Sequence, residues 1–194
     1  MIRWPADLTQ LQREFRRAKP FAHAVLDGAV APADHALLAQ AFADEPQMLV
    51  ENEIYLHLRG PEPPMTPALR GFCDALQASC AQVSAICGQG LSRVDGSAYV
   101  YLTGHYLLPH SDSRKSEGRV IAYAYYVSAP LRGGELELFA CTRKGGEIVR
   151  TRPVKRIAAR TNRLVLFAVN DLALHRVREV LDGARTSVAG WFYP

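Results

Sequence analysis

His110-Ser111-Asp112 sets an imidazole and a carboxylate two residues apart. In extended chain, residues at i and i+2 face the same side, so both side chains can converge on one ion. A third ligand must come from elsewhere, and His175 opens a late apolar segment. Two histidines and one carboxylate make the facial set that holds non-heme Fe(II) and leaves coordination positions open. Taken alone, a His-x-Asp pair is more often a solvated loop histidine beside an ordinary aspartate, and a lone strand histidine is more often structural. His23, His35, His57 and His105 have no partner at comparable spacing, although His105 stands near enough to line the same loop. Ten residues beyond His175, Arg185-Thr186-Ser187 places a guanidinium and a hydroxyl on one face of a strand. Arginine offers a planar fork to a carboxylate, and serine adds a donor. The bland alternative is a surface arginine; turned inward among Val188, Ala189 and Trp191, it requires a buried anion.

These residues need elements to hold them. Helical spacing predicts helices over 6–19, 32–42 and 66–86, with short strands over 21–26 and 52–58 and a proline-rich loop over 59–64. Beyond Gly90 the apolar period changes from that of a helix to that of a strand. Strands are predicted over 98–102, 120–127, 134–139, 162–169, 175–180 and 186–192, with a hairpin loop over 143–146. Helices first and strands afterwards argue for an antiparallel sheet or curled barrel braced by helices. The expected organisation is one domain over 1–194, with a helical brace over 1–90 and a barrel core over 91–194.

Composition sets outer bounds. The 194 residues, 48% hydrophobic and 22% charged, suit one globular domain with a real core and exclude general disorder. The net charge of +4 reads as spread along the chain and names no anionic partner. No basic stripe interleaved with aromatics is evident, so nucleic acid is not the expected partner. No apolar stretch follows Met1 as a leader would require, and none approaches a membrane span, so a cytoplasmic protein without membrane contact is expected. Cys73, Cys80 and Cys87 recur every seven residues through the predicted helix and, with Cys141, read as free thiols.

Taken in order, the blocks over 99–112, 124–127, 133–139, 162–167, 175–177, 183–187 and 190–192 make the chain resemble the iron- and 2-oxoglutarate-dependent dioxygenases, in their prolyl-hydroxylase-like branch. A fainter likeness extends over 20–27. The resemblance implies an α+β fold built on a double-stranded β-helix, the jelly-roll or cupin-like barrel, braced by N-terminal helices. It implies His110, Asp112 and His175 as iron ligands, Arg185 as the partner of the distal carboxylate of 2-oxoglutarate, and Ser187 in the same subsite. Tyr101 and Tyr126 match aromatic positions that line the cosubstrate pocket; alternation lets at most one of Tyr125 and Tyr126 point inward. The cofactors implied are Fe(II), 2-oxoglutarate and O₂, with ascorbate as an accessory reductant. Retention of Asp112 implies hydroxylation rather than halogenation, since halogenating relatives lack this carboxylate.

The expected substrate is free proline or a proline-like small amino acid, because no recognition domain is appended to the predicted barrel. The alternative is a prolyl residue in a protein or peptide, and a different class of reading is a non-catalytic metal-binding barrel. Arg114, Lys115 and Arg119 follow the His-x-Asp pair. Closed over the mouth, they would clamp a free carboxylate; lying beside an open groove, they would favour a peptide.

Overall fold

The computed structural model describes residues 1–114 and 116–194; Lys115, one of the cations expected at the mouth, lies outside the described residues. The first elements are α1 (Thr9–Arg17), β1 (His23–Asp27), α2 (Pro32–Asp44), β2 (Met48–Glu51), β3 (Tyr55–Arg59), α3 (Pro67–Gln77) and α4 (Cys80–Cys87). Strands follow as β4 (Arg93–Val94), β5 (Ser97–Leu102), β6 (Tyr106–His110), β7 (Ile121–Ser128), β8 (Arg132–Gly133) and β9 (Leu136–Lys144). The last are β10 (Glu147–Ile157), β11 (Arg163–Ala168), β12 (His175–Val177), β13 (Val180–Asp182) and β14 (Ala184–Tyr193). One curled sheet runs β1-β11-β7-β14-β5-β3-β6-β12-β9-β10, with β2 on β3 and β4 on β14; β8 and β13 pair separately. All its pairings are antiparallel.

Strand alternation divides the core in two. Tyr123 and Tyr125 of β7 join Leu164 and Leu166 of β11 against Leu11, Phe15, Leu38, Phe72 and Val83 of the helices. Their neighbours Ala122, Ala124 and Tyr126 turn to the other face with Val165, Phe167, Leu136 and Leu138. Full burial of such an aromatic or aliphatic side chain contributes about 1.5–3 kcal/mol, so the helical layer is a main prop of the sheet. On the inner face, the small side chains of Ala122 and Ala124 leave room, and a cavity of about 540 Å³ opens there.

Three sequence expectations change. The helix predicted over 66–86 breaks at Ala78 and Ser79. Buried Ser79 donates back to the Ala75 carbonyl at 2.7 Å and accepts from Trp4 Nε1 at 2.9 Å, a back-bond that favours a bend. Cys73, Cys80 and Cys87 therefore do not share one continuous helix, although all four cysteines are free. Second, the first 90 residues are not a separate helical brace: β1 pairs with β11, and β3 sits between β5 and β6 in the main sheet. Third, the strand expected over 175–180 ends at Val177, and Val180–Asp182 joins β8 instead.

Candidate active site

His110 ends β6 directly opposite His175 on β12. This cross-strand register carries both imidazoles to the inner face, with ring centroids 4.4 Å apart. Asp112 follows two residues on and lies between them, its Oδ1 3.4 Å from His110 Nε2 and its Oδ2 3.5 Å from His175 Nε2. One ligand atom from each of the three lies within 4.8 Å of the others. The far ring nitrogens are held by backbone: His110 Nδ1 donates to the Leu108 carbonyl at 2.9 Å and His175 Nδ1 to that of Ala173 at 3.0 Å. Those bonds leave both Nε2 lone pairs aimed at the centre, the tautomer a metal requires. Trp191 Nε1 donates to Asp112 Oδ2 at 3.0 Å.

Electrostatics fit the same use. Burial opposes the Asp112 charge, but the adjacent His110 and His175, with the Trp191 donor, outweigh it and hold the carboxyl well below its usual range. Burial lowers the His175 pKa, whereas for His110 the adjacent Asp112 overcomes burial and raises it. An ionised carboxylate between two imidazoles is a donor set suited to a divalent cation.

A second cluster lies deeper on β14. Arg185 is 3% exposed, and among the described residues its Nε and Nη1 have no hydrogen-bond partner; buried Ser187 Oγ and Tyr126 Oη are equally unpartnered there. The guanidinium carbon sits 4.8 Å from the Tyr101 ring centroid and 4.9 Å from that of Tyr126. Buried donors without partners are rare in folded proteins, and here several converge without an acidic side chain paired to Arg185 among the described residues. A carboxylate-bearing ligand satisfies them. Tyr101 and Tyr126 both flank Arg185, Tyr101 lines the cavity and Tyr126 is not among its lining residues, while Tyr125 turns to the helical face and bonds to His35 Nδ1 at 2.7 Å.

The remaining expectations divide. Arg119 lies 3.5 Å over the Trp191 ring and pairs with Glu117. Arg114 pairs with Glu117 as well, with most of its side chain in solvent. His105 is buried, but it is not among the residues lining the cavity. Sequence reasoning missed His57. It sits at the centre of β3, lines the cavity, and stacks on Tyr101 at 5.0 Å between centroids. Burial, with Arg59, His105 and Arg185 nearby, pushes its pKa down to about 4. The signal was present, since alternation in Tyr55-Leu56-His57-Leu58-Arg59 places the odd positions on one face.

The comparisons with known proteins cover both the fold and the sequence. The prolyl-4-hydroxylase of Pseudomonas putida superposes with a TM-score of 0.68 at 20% identity, covering 94% of this chain and 98% of that one. A Trichoplax adhaerens prolyl hydroxylase, in complex with a hypoxia inducible factor peptide fragment, also gives 0.68, at 14% identity over 96% of this chain and 91% of that one. These likenesses identify the fold as the double-stranded β-helix. In sequence, the Xenopus laevis prolyl 3-hydroxylase OGFOD1 is 38% identical over 107 residues, which is 52% of this chain and 20% of that protein. The chain thus spans about a fifth of the length of that relative. The pattern of the 2OG-Fe(II) oxygenase superfamily matches residues 96–193, the stretch that supplies the triad and the Arg185 cluster alike. With three convergent metal-donor side chains beside a cluster of buried donors, the chain belongs to the 2OG-Fe(II) oxygenase superfamily, whose members use Fe(II), 2-oxoglutarate and O₂.

Proposed function

We propose that this oxygenase hydroxylates a prolyl residue within a polypeptide, consuming 2-oxoglutarate and O₂ and releasing succinate and CO₂. One observation carries the reading: three metal-donor side chains and the unpartnered buried donors of Arg185 and Ser187 meet in a single cavity. Similarity to prolyl hydroxylases, one of them holding a peptide, supports the prolyl and polypeptide parts. So does the mouth, where Arg114 and Arg119 each pair with Glu117, a carboxylate that competes with that of a free amino acid. The small-substrate preference drawn from sequence gives way on this point.

In this reading His110, Asp112 and His175 hold the iron. When bound, iron and 2-oxoglutarate together supply the oxidising power that places one oxygen atom of O₂ in the substrate C–H bond and the other in succinate. The chain's own work is orientation. Backbone carbonyls of Leu108 and Ala173 fix the two imidazoles, and Trp191 holds Asp112. Arg185 takes the distal carboxylate of 2-oxoglutarate, Ser187 and Tyr126 add donors, and Tyr101 walls the subsite with His57. The apolar lining of Leu136, Phe167 and Val177 excludes water from the reacting side.

Anaerobically reconstituted protein offered free proline and proline-containing peptides tests the proposal, with mass spectrometry scoring gain of one oxygen atom against succinate formed. Oxygen gain on peptides, lost in His175→Ala, is the expected result. Hydroxyproline formed from free proline alone, or a chlorinated product, overturns it.

A further inference from the structure

The chain's positive charge is concentrated rather than spread. Residues 143–160 hold seven cations and one anion, more than the net charge of +4 of the whole chain. The structure turns this stretch into an edge: β10 ends the strand order, pairs among the described residues with β9 alone, and is exposed from Glu147 through Arg156. The register then sorts the cations by face. Arg150, Arg152 and Lys155 stand opposite Thr142, Ala140 and Leu138, and Leu138 stands opposite His175. Residues directly opposed in an antiparallel pair share a face, so these three cations rise from the same side of the sheet as His175. Arg156, opposite Glu137, falls on the other face, where Glu137 binds it together with Arg176. Arg150, Arg152 and Lys155 form no ion pair among the described residues.

We infer that this row is a docking edge for an acidic segment of the polypeptide substrate; the inference rests on the polypeptide reading above. Lys155 lies two strand spacings from His175, about 10 Å, and Arg152 and Arg150 lie farther along, at about 12 and 17 Å. An extended peptide advances about 3.3 Å per residue, so a chain with its proline at the triad meets the row about three to five residues away. Charge complementarity therefore selects Asp or Glu at those positions. Nucleic acid fits less well, because residues 143–160 contain no aromatic side chain on which a base can stack. The edge is also tied to the site: at the hairpin tip Arg143 pairs with Asp171 at 3.5 Å, and Asp171 accepts from Ser113 at 2.7 Å, next to Asp112.

The test uses the Fe(II)-loaded enzyme and peptides with one central proline, carrying Asp or Ala three to five residues away on either side. Turnover gives KM and kcat, and fluorescence anisotropy of labelled peptides reads binding independently of turnover. The acidic peptide should show a KM about tenfold lower at low salt, with kcat unchanged and the advantage fading as salt rises. Arg150→Glu with Arg152→Glu should erase the difference, leaving the 2-oxoglutarate KM and turnover of the Ala peptide unchanged; Arg150→Gln with Arg152→Gln should give an intermediate result. Equal binding of both peptides overturns the inference and leaves these cations as guards against edge-to-edge pairing. Tighter binding of an RNA oligonucleotide, lost in the same variants, overturns it in favour of nucleic acid. Hydroxylation of free proline alone overturns the polypeptide reading itself, whereas anisotropy still reports on the edge.

Discussion

Arg185 is the residue whose burial demands an explanation, because a guanidinium 3% exposed has two tyrosine rings beside it but no acidic partner among the described residues. Arg185→Ala is expected to raise the KM for 2-oxoglutarate. Loss of a buried charge-assisted pair costs about 2–5 kcal/mol, or about 30- to several-thousand-fold. Ser187→Ala removes one neutral donor and should cost about 1 kcal/mol. An unchanged 2-oxoglutarate KM in Arg185→Ala sinks the subsite assignment. Trp191 makes a different kind of claim, since it touches the triad only through Asp112. Trp191→Phe should keep the ring under Arg119 while losing the donor, weakening Fe(II) binding about 10- to 100-fold in a metal titration. The triad and Arg185 were candidates by type and spacing, and the ordered blocks of the family resemblance lifted them above a loop histidine and a surface arginine. His57 offered only the alternation of its strand and Trp191 nothing, since a histidine and a tryptophan within strands look like any core residue until the register brings them to the cavity.

At the scale of elements, strands with a strong apolar pattern could be read directly: β7 and β11 are apolar and buried along nearly their whole length, and β14 alternates. Alternation fails for β10, which is exposed at every position but Ile157 and carries Pro153, so nothing in its pattern announces a strand. The place of β3 between β5 and β6 was equally hidden, because pairing partners far apart in sequence leave no local trace. Gly190 shows how tightly β14 is seated. A Cβ there would lie 2.2 Å from the Asp95 carbonyl oxygen. Asp95 in turn accepts from the Trp191 amide at 2.9 Å and from the Tyr193 hydroxyl. Gly190→Ala must therefore push β14 away from Asp95, an overpacking that costs about 1–3 kcal/mol. In a chain of this size, the melting temperature should fall roughly 3–10 °C. Because Trp191 is the next residue, Fe(II) affinity should fall as well; a variant that melts earlier but binds iron as before would separate the strand's seating from the site.

Across the whole molecule, burial has trapped several histidines in their neutral form, and this sets how folding responds to acid. His57 is held at about 4 against an ordinary 6.5, chiefly by burial, and burial also lowers His23 and His35. Between those two values the unfolded chain takes up a proton at His57 that the folded chain refuses. Acid therefore favours unfolding: the stability His57 permits is complete above pH 6.5 and declines as pH falls towards 4, after which this residue adds no further slope. The gap corresponds to about 3 kcal/mol, at about 1.4 kcal/mol per pH unit. The buried or paired carboxylates act later, because Asp27 and Glu137 have pKa values lowered from 3.8 and 4.5, and their contribution is lost only below that range. Two acid phases are thus expected in urea melts taken with a chelator present, which removes linkage to metal binding. His57→Gln should flatten the first phase, between pH 6.5 and 4, and leave the second unchanged. If the first phase keeps its full slope in that variant, the burial of His57 is not its source.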